Sequence, residues 1–269
     1  MRKFNLASIG TALALTLGFA LPASAQITYN FATGGNCDFP PATCTVVAPT
    51  ATQAKNLTIS GWGAASGANF VSAVINDQTA SGIGMTPTGE PTTSPQHAID
   101  NDGVHELVML DFGTNKVVLT GLSTGWSYND TDVAVLRWTG ATGPDLTTTK
   151  LTDGTTGLVA KGWSIVASAD MDGGSSTGAT FGALSTTTGL TVNAANSSSW
   201  WIVSSYFGGG SIGAADAALD YFKLLSVSAT CVSSTSGGAC NTSVPEPGSL
   251  ALAGLALAAV TYSRRRKTK

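Results

Sequence analysis

The densest group of oxygen ligands in the sequence lies in one short stretch that reads as a turn. Its members are Asp100, Asn101, Asp102 and Glu106. Carboxylate and amide oxygens are the ligands that calcium takes in proteins. The stretch is not an EF-hand loop, because a glycine already follows at its fourth position. It therefore predicts a calcium ion as cofactor, with one alternative: the side chains form Asx turns by bonding to their own backbone.

Two further turns, residues 129–132 and 170–173, each carry a pair of carboxylates. A glycoside hydrolase needs two carboxyl groups at a defined separation across a cleft. A sequence does not supply that separation. A secreted glycoside hydrolase is therefore kept only as a third hypothesis for function.

Trp200 and Trp201 are adjacent within an apolar run. Neighbouring residues of a strand point to opposite faces, so we expect one of the two indoles to face outward. An outward indole can stack on a sugar ring, whereas the alternative is that it packs beneath a loop.

The four cysteines form two groups, Cys37 with Cys44 and Cys231 with Cys240. In an exported chain such cysteines predict disulfides rather than a metal site. We favour pairing within each group, because each pair would close a small loop. The two crossed connectivities remain open.

The N-terminus has the pattern of a secretory signal peptide. Two basic residues precede an apolar run over residues 6–21, and Ala23 and Ala25 supply the small side chains of a cleavage site. We therefore predict a signal peptide over residues 1–25 and export through the inner membrane.

The charge balance of the chain differs between its body and its ends. The whole chain carries −3 from 13 basic and 16 acidic residues. Seven of the basic residues and one acid lie in residues 1–25 and 244–269, which leaves six bases against 15 acids, or about −9, in residues 26–243. An acidic body excludes nucleic acid as a partner, because nucleic acid requires clustered Lys and Arg.

Short apolar runs separated by Gly, Thr, Ser, Asn and Pro recur along the body, and nothing reads as a long amphipathic helix. Alternation with a period of two begins at Gln26 and is typical of half-buried strands. The pattern predicts a single all-β domain, an antiparallel β-sandwich of jelly-roll type. After the first strand, we expect strands at residues 55–62, 69–75, 106–112, 116–122, 132–138, 157–167, 200–207 and 220–229.

The C-terminal stretch, residues 244–269, has three parts. It consists of Pro245, Glu246 and Pro247, then an apolar run over residues 250–262, then a basic cluster that contains Arg264, Arg265 and Arg266. A helix over that run would be only about 20 Å long, against a hydrocarbon core of about 30 Å. The length favours a transient hold in the membrane over an anchor that is never cut.

This order of parts resembles the PEP-CTERM sorting signal of Gram-negative surface proteins. The resemblance implies that a membrane exosortase processes the tail, and that the chain contacts the membrane only through this short hydrophobic helix before processing. It also implies a location at the cell surface, in the outer envelope or in an extracellular matrix.

The body resembles the exosortase-dependent surface proteins, a family that implies a β-rich exported protein of unassigned activity. The resemblance rests on residues 97–101, 106–112, 125–126, 130–132, 135–136 and 220–224.

These observations divide the chain into a signal peptide (1–25), an exported domain (26–243) and a sorting signal (244–269). The favoured function is that of a non-enzymatic surface or matrix protein associated with exopolysaccharide or biofilm. The first alternative is a calcium-dependent carbohydrate-binding module.

Overall fold

A computed structural model describes nine segments of the chain, which include most of the exported body. They are residues 26–32, 43–47, 56–91, 95, 97–152, 157–170, 180–181, 196–205 and 218–232. Within them the chain forms thirteen strands, one 3₁₀ turn and one short α-helix. The all-β prediction is confirmed.

The strands are short except for two long ones, β8 and β13. They are β1 (Gln26–Asn30), β2 (Thr43–Val46), β3 (Leu57–Ala65), β4 (Val71–Asp77), β5 (Ile83–Pro87), β6 (Ile99–Asp100), β7 (Val104–Asp111), β8 (Val117–Asn129), β9 (Asp132–Trp138), β10 (Trp163–Asp170), β11 (Thr180–Phe181), β12 (Trp200–Ser205) and β13 (Asp220–Cys231). The 3₁₀ turn spans Thr79–Ser81, and the helix α1 spans Leu158–Lys161.

All strands belong to one antiparallel sheet with the order β10-β9-β12-β7-β3-β4-β5-β13-β8-β11. The remaining strands pair alongside this path, β2 with β3, and β1 and β6 with β13. Along β13 the successive partners on one side are therefore β6, β5 and β1. This arrangement makes β13 the central strand of its half of the sheet.

The main hydrophobic core lies between the two halves of this sheet. It joins Leu110 of β7 and Val203 of β12, from one half, to Phe222 and Val227 of β13, from the other. All four side chains are buried. Burial of each such side chain stabilises the fold by about 1.5–3 kcal/mol. The sheet thus folds back on itself in a sandwich-like arrangement.

A second, smaller core covers the outer face of β7, β12 and β9. Leu107, Leu136 and Ile202 from these strands pack against Leu146 and Leu158, which belong to the segment between β9 and β10. Because both faces of the three strands are covered, each contains an uninterrupted apolar run, at residues 107–110, 133–136 and 200–203.

The stretch 157–167 is not one strand, so that prediction is wrong. The helix α1 occupies its first part, and Leu158 of this helix is buried in the second core. Gly162 then adopts φ of 112°, a left-handed conformation that ends the helix, and β10 begins at Trp163. The other strand predictions agree with the structure within a few residues where the residues are described, except that β8 continues to Asn129, seven residues beyond the predicted end at residue 122.

The structure also shows four strands that the sequence patterns did not predict, β2, β5, β6 and β11. The jelly-roll assignment within the sandwich class stays a prediction.

Both described cysteines lie in strands of the main core. Cys44 of β2 and Cys231 of β13 are buried and are disulfide-bonded. Cys37 and Cys240 lie outside the described residues, so the pairing within each group stays a prediction.

Candidate functional site

The four predicted calcium ligands do not converge on one point. Asp100 ends β6 and Glu106 lies in β7, and both are fully buried. The Asp100 amide donates to Glu106 Oε2 at 3.0 Å, and the Asp102 amide donates to Asp100 Oδ1 at 3.0 Å. The second contact is an Asx turn, the alternative that the sequence left open.

The other two predicted ligands bond to β13 instead. Asn101 Nδ2 donates to Asp220 Oδ2 at 2.7 Å, and the Asp220 amide donates to Asn101 Oδ1 at 2.9 Å. The Tyr221 hydroxyl donates to Asp102 Oδ2 at 2.9 Å. The turn after β6 is therefore fastened to the beginning of β13.

A group of buried carboxyls lies behind this turn. Burial raises the pKa of Asp100 to about 7. Burial raises the pKa of Glu106 well above its ordinary value, and the neighbouring carboxyls of Asp100 and Glu90 raise it further. Asp100 Oδ2 and Glu106 Oε1 are buried and accept no hydrogen bond from the part of the chain that the structure describes. Without a cation beside them, these groups are more readily protonated than solvated carboxyls.

Three aspartates do converge, at the junction of β8, β9 and β13. Asp130, Asp132 and Asp220 each offer an oxygen, and these oxygens lie within 4.8 Å of one another. The Asp132 amide also donates to Asp220 Oδ1 at 2.7 Å. Such a set of hard oxygens can hold a divalent cation. The sequence pointed to residues 129–132 only as a turn, and it did not indicate Asp220, which is distant along the chain.

Trp200 and Trp201 point to opposite faces of β12. Trp201 is fully buried in the main core, and its indole N–H donates to the Ser198 carbonyl at 3.1 Å. Trp200 is partly buried against the second core. Gly143 lies over its ring, where an added Cβ would be 3.4 Å from Cζ2. The outward indole therefore packs beneath a loop and presents only part of its ring to solvent.

Trp200 forms one wall of an open cleft of about 740 Å³ at one end of the sandwich. The cleft lies where β7 and β9 end and β12 begins. Its lining includes the charged residues Asp111, Lys116 and Arg137, a second indole from Trp138, and hydroxyl side chains of the segments 112–117 and 196–199. The volume lies in the range of ligand-binding clefts.

Sequence reasoning did not single out the charged residues of this cleft. Arg137 lies near the end of the apolar strand β9. A single cationic residue in such an apolar run is the sequence feature that could have pointed to this cleft. Asp111 and Lys116 flank the turn between β7 and β8, and only the fold brings them close to β9 and β12.

The cleft and the three aspartates lie at opposite ends of β9. Asp132 begins this strand and Trp138 ends it. At about 3.3 Å per residue the two ends are about 20 Å apart. A cation held by Asp132 would therefore not touch a ligand in the cleft.

The predicted cleavage residues Ala23 and Ala25 and the whole tail lie outside the described residues. Among the residues that are described, none forms a helix with the length and apolar character needed to cross a bilayer.

Comparison with known families matches residues 243–267 to the PEP-CTERM protein-sorting motif. The chain carries a PEP-CTERM sorting motif. The prediction from Pro245, Glu246, Pro247 and the Arg264–Arg266 cluster is thereby confirmed. The motif indicates an exported protein that an exosortase sorts to the surface. Neither the curated proteins nor the solved structures include a match to this chain.

Proposed function

We propose that this chain is a non-enzymatic surface or matrix protein, which an exosortase trims at its tail once the body has been exported. The observation that carries the proposal is the PEP-CTERM match over residues 243–267. The signal-peptide pattern at the N-terminus supports it, because both ends then direct the same acidic β domain across the inner membrane.

A second function, carbohydrate binding, is favoured by one specific observation. The cleft at the end of the sandwich combines two indoles with charged and hydroxyl side chains, which suits a sugar ligand in an exopolysaccharide. In this proposal calcium acts only on stability, since the three aspartates lie at the far end of β9.

The glycoside hydrolase hypothesis receives less support from this cleft. It requires two carboxyl groups that face each other, and among the described residues that line the cleft only Asp111 carries a carboxylate. One oxygen of that carboxylate already accepts the Gly113 amide at 2.7 Å.

Intact-mass measurement of the protein from the cell surface tests the sorting proposal. In cells with an exosortase, the mature chain should end close to residues 245–247, and deletion of the exosortase should leave the tail attached. Surface protein that retains residues 250–269 in the presence of the enzyme would refute the proposal. A glycan array, read with and without a chelator, tests the second function separately, and we expect the bound signal to survive chelation.

A further inference from the structure

The cleft is locally positive, whereas the protein around it is acidic. The exported body carries about −9, with only six basic side chains in residues 26–243. Two of these six, Lys116 and Arg137, line the cleft, where Asp111 supplies the one carboxylate among the described lining residues. A locally positive cleft attracts an anionic ligand, whereas the acidic surface of the rest of the protein repels one.

The Arg137 side chain is placed for such a ligand. Within the described residues its guanidinium makes no hydrogen bond and no ion pair, and its Nε is buried without a partner. The residue as a whole is only partly buried, so its guanidinium is accessible to an incoming anion. The planar guanidinium fits a carboxylate with two parallel hydrogen bonds.

The rest of the lining suits a polyol rather than a small inorganic anion. The hydroxyls of Thr114, Ser197 and Ser199 form no hydrogen bond within the described part of the chain, so they can bond to ligand hydroxyls. Trp138 and Trp200 add apolar ring surface. The Trp138 indole N–H is already used, since it donates to the Thr142 carbonyl.

We infer that the cleft binds an acidic sugar unit of the uronic acid type, with its carboxylate on Arg137 and its hydroxyls on Thr114, Ser197 and Ser199. Lys116 is exposed and adds attraction at longer range. This inference rests on the carbohydrate binding proposed above as a second function and names the class of sugar that the cleft would take.

Titration calorimetry of the exported protein with three polymers tests the inference. Polygalacturonate should bind, whereas its fully methyl-esterified form, which has the same rings without the charge, and neutral dextran should bind at least tenfold more weakly. Affinity for polygalacturonate should fall when NaCl rises from about 0.1 M to about 0.5 M, because salt screens the charge contacts.

Three variants locate the binding. Arg137→Gln should lower the affinity for polygalacturonate at least tenfold, and Lys116→Gln several-fold. Lys150→Gln removes a cation that does not line the cleft, and its affinity should equal that of the wild type. Because Lys116 is exposed, its variant should fold even if the Arg137 variant does not.

Equal affinity for the charged and the esterified polymer, no binding to polygalacturonate, or an equal effect of Lys116→Gln and Lys150→Gln would overturn the inference. Binding to dextran alone would leave carbohydrate binding standing but overturn the acidic class. The mass and surface location of the same preparations report on the sorting proposal independently.

Discussion

The Asp100 carboxyl is buried beside Glu106, and its raised pKa makes the free energy of unfolding depend on pH. In the folded protein the Asp100 carboxyl stays protonated up to about pH 7, whereas the ordinary pKa of an aspartate is 3.8. Its stabilising contribution is therefore complete below about pH 3.8 and is lost as pH rises through 7. We expect the free energy of unfolding, measured in urea, to fall by on the order of 2 kcal/mol from pH 5 to pH 8 through this group.

Asp100→Asn should remove the contribution of this carboxyl to that pH dependence and leave the contribution of Glu106, because the amide cannot ionise and its oxygen can still accept the Asp102 amide. Asp145→Asn serves as the control, since this exposed carboxyl has a lowered pKa through its bonds to Thr147. An Asp100→Asn protein whose stability follows the wild-type pH curve would show that the carboxyl is ionised in the fold.

Residue chemistry at this site could be predicted only where partners are neighbours in sequence. The Asx turn from Asp100 to Asp102 spans two residues and was weighed from sequence alone. The bonds from Asn101 to Asp220 span 119 residues, and they exist because β6 and β13 pair. Glu90 went unnoticed because a carboxyl in a turn-rich segment gives no sign that the fold buries it against Glu106.

Among the elements, β5 and β13 meet at a single paired position, Leu224 with Ile83. Gly82 immediately precedes β5 with φ of 88°, and a Cβ there would lie within about 2.4 Å of the Leu224 carbonyl oxygen. Gly82→Ala combines backbone strain with a clash against the backbone. We expect it to lower the free energy of unfolding by about 3 kcal/mol or more.

Gly67→Ala is the matched control for that variant. Gly67 also has a positive φ, 74°, but a Cβ there would meet nothing within 4 Å. Its cost should be the backbone strain alone, about 1–2 kcal/mol. Equal denaturation midpoints for the two variants would mean that the approach of β5 to β13 is not tight.

The elements that could be predicted from sequence are those with a clear period of two. β1 shows alternate burial along its whole length, as its sequence predicts. The helix α1 was missed because four residues are too few to show a helical period. β5 and β6 were missed because short runs among Pro, Thr and Gly resemble turns, and only their pairing partners make them strands.

The disulfides involve two of the strands, because Cys44 lies in β2 and Cys231 in β13. If Cys37 pairs with Cys44, the bond closes a loop of about eight residues and contributes about 2–3 kcal/mol at most. Substituting both with Ser should lower the melting temperature and leave a folded β domain by circular dichroism. A linked peptide that joins Cys37 to Cys231 or Cys240, found by mapping the non-reduced protein, would contradict local pairing.

At the level of the whole molecule, the C-terminal sorting motif directs the localisation of the protein. Glu246→Ala should leave the chain uncut in the inner membrane, because the apolar run and the basic cluster still halt it there. Thr242→Ala, just outside the matched residues, should be processed normally. Cell fractionation with immunoblotting distinguishes the two, and surface delivery of trimmed Glu246→Ala protein would show that this carboxylate is dispensable.

The pairing of β1 with β13 has a geometric consequence for the tethered protein. Gln26 lies opposite Thr230, so the first strand begins at the pole where β13 ends. Cys231 pairs there with Val117, and the Val232 amide bonds to the Lys116 carbonyl, which places a wall of the cleft at that pole too. The last described residue before the sorting motif, Val232, therefore leaves the sheet beside the cleft. A ligand in the cleft would lie next to the point from which the chain continues toward its sorting motif.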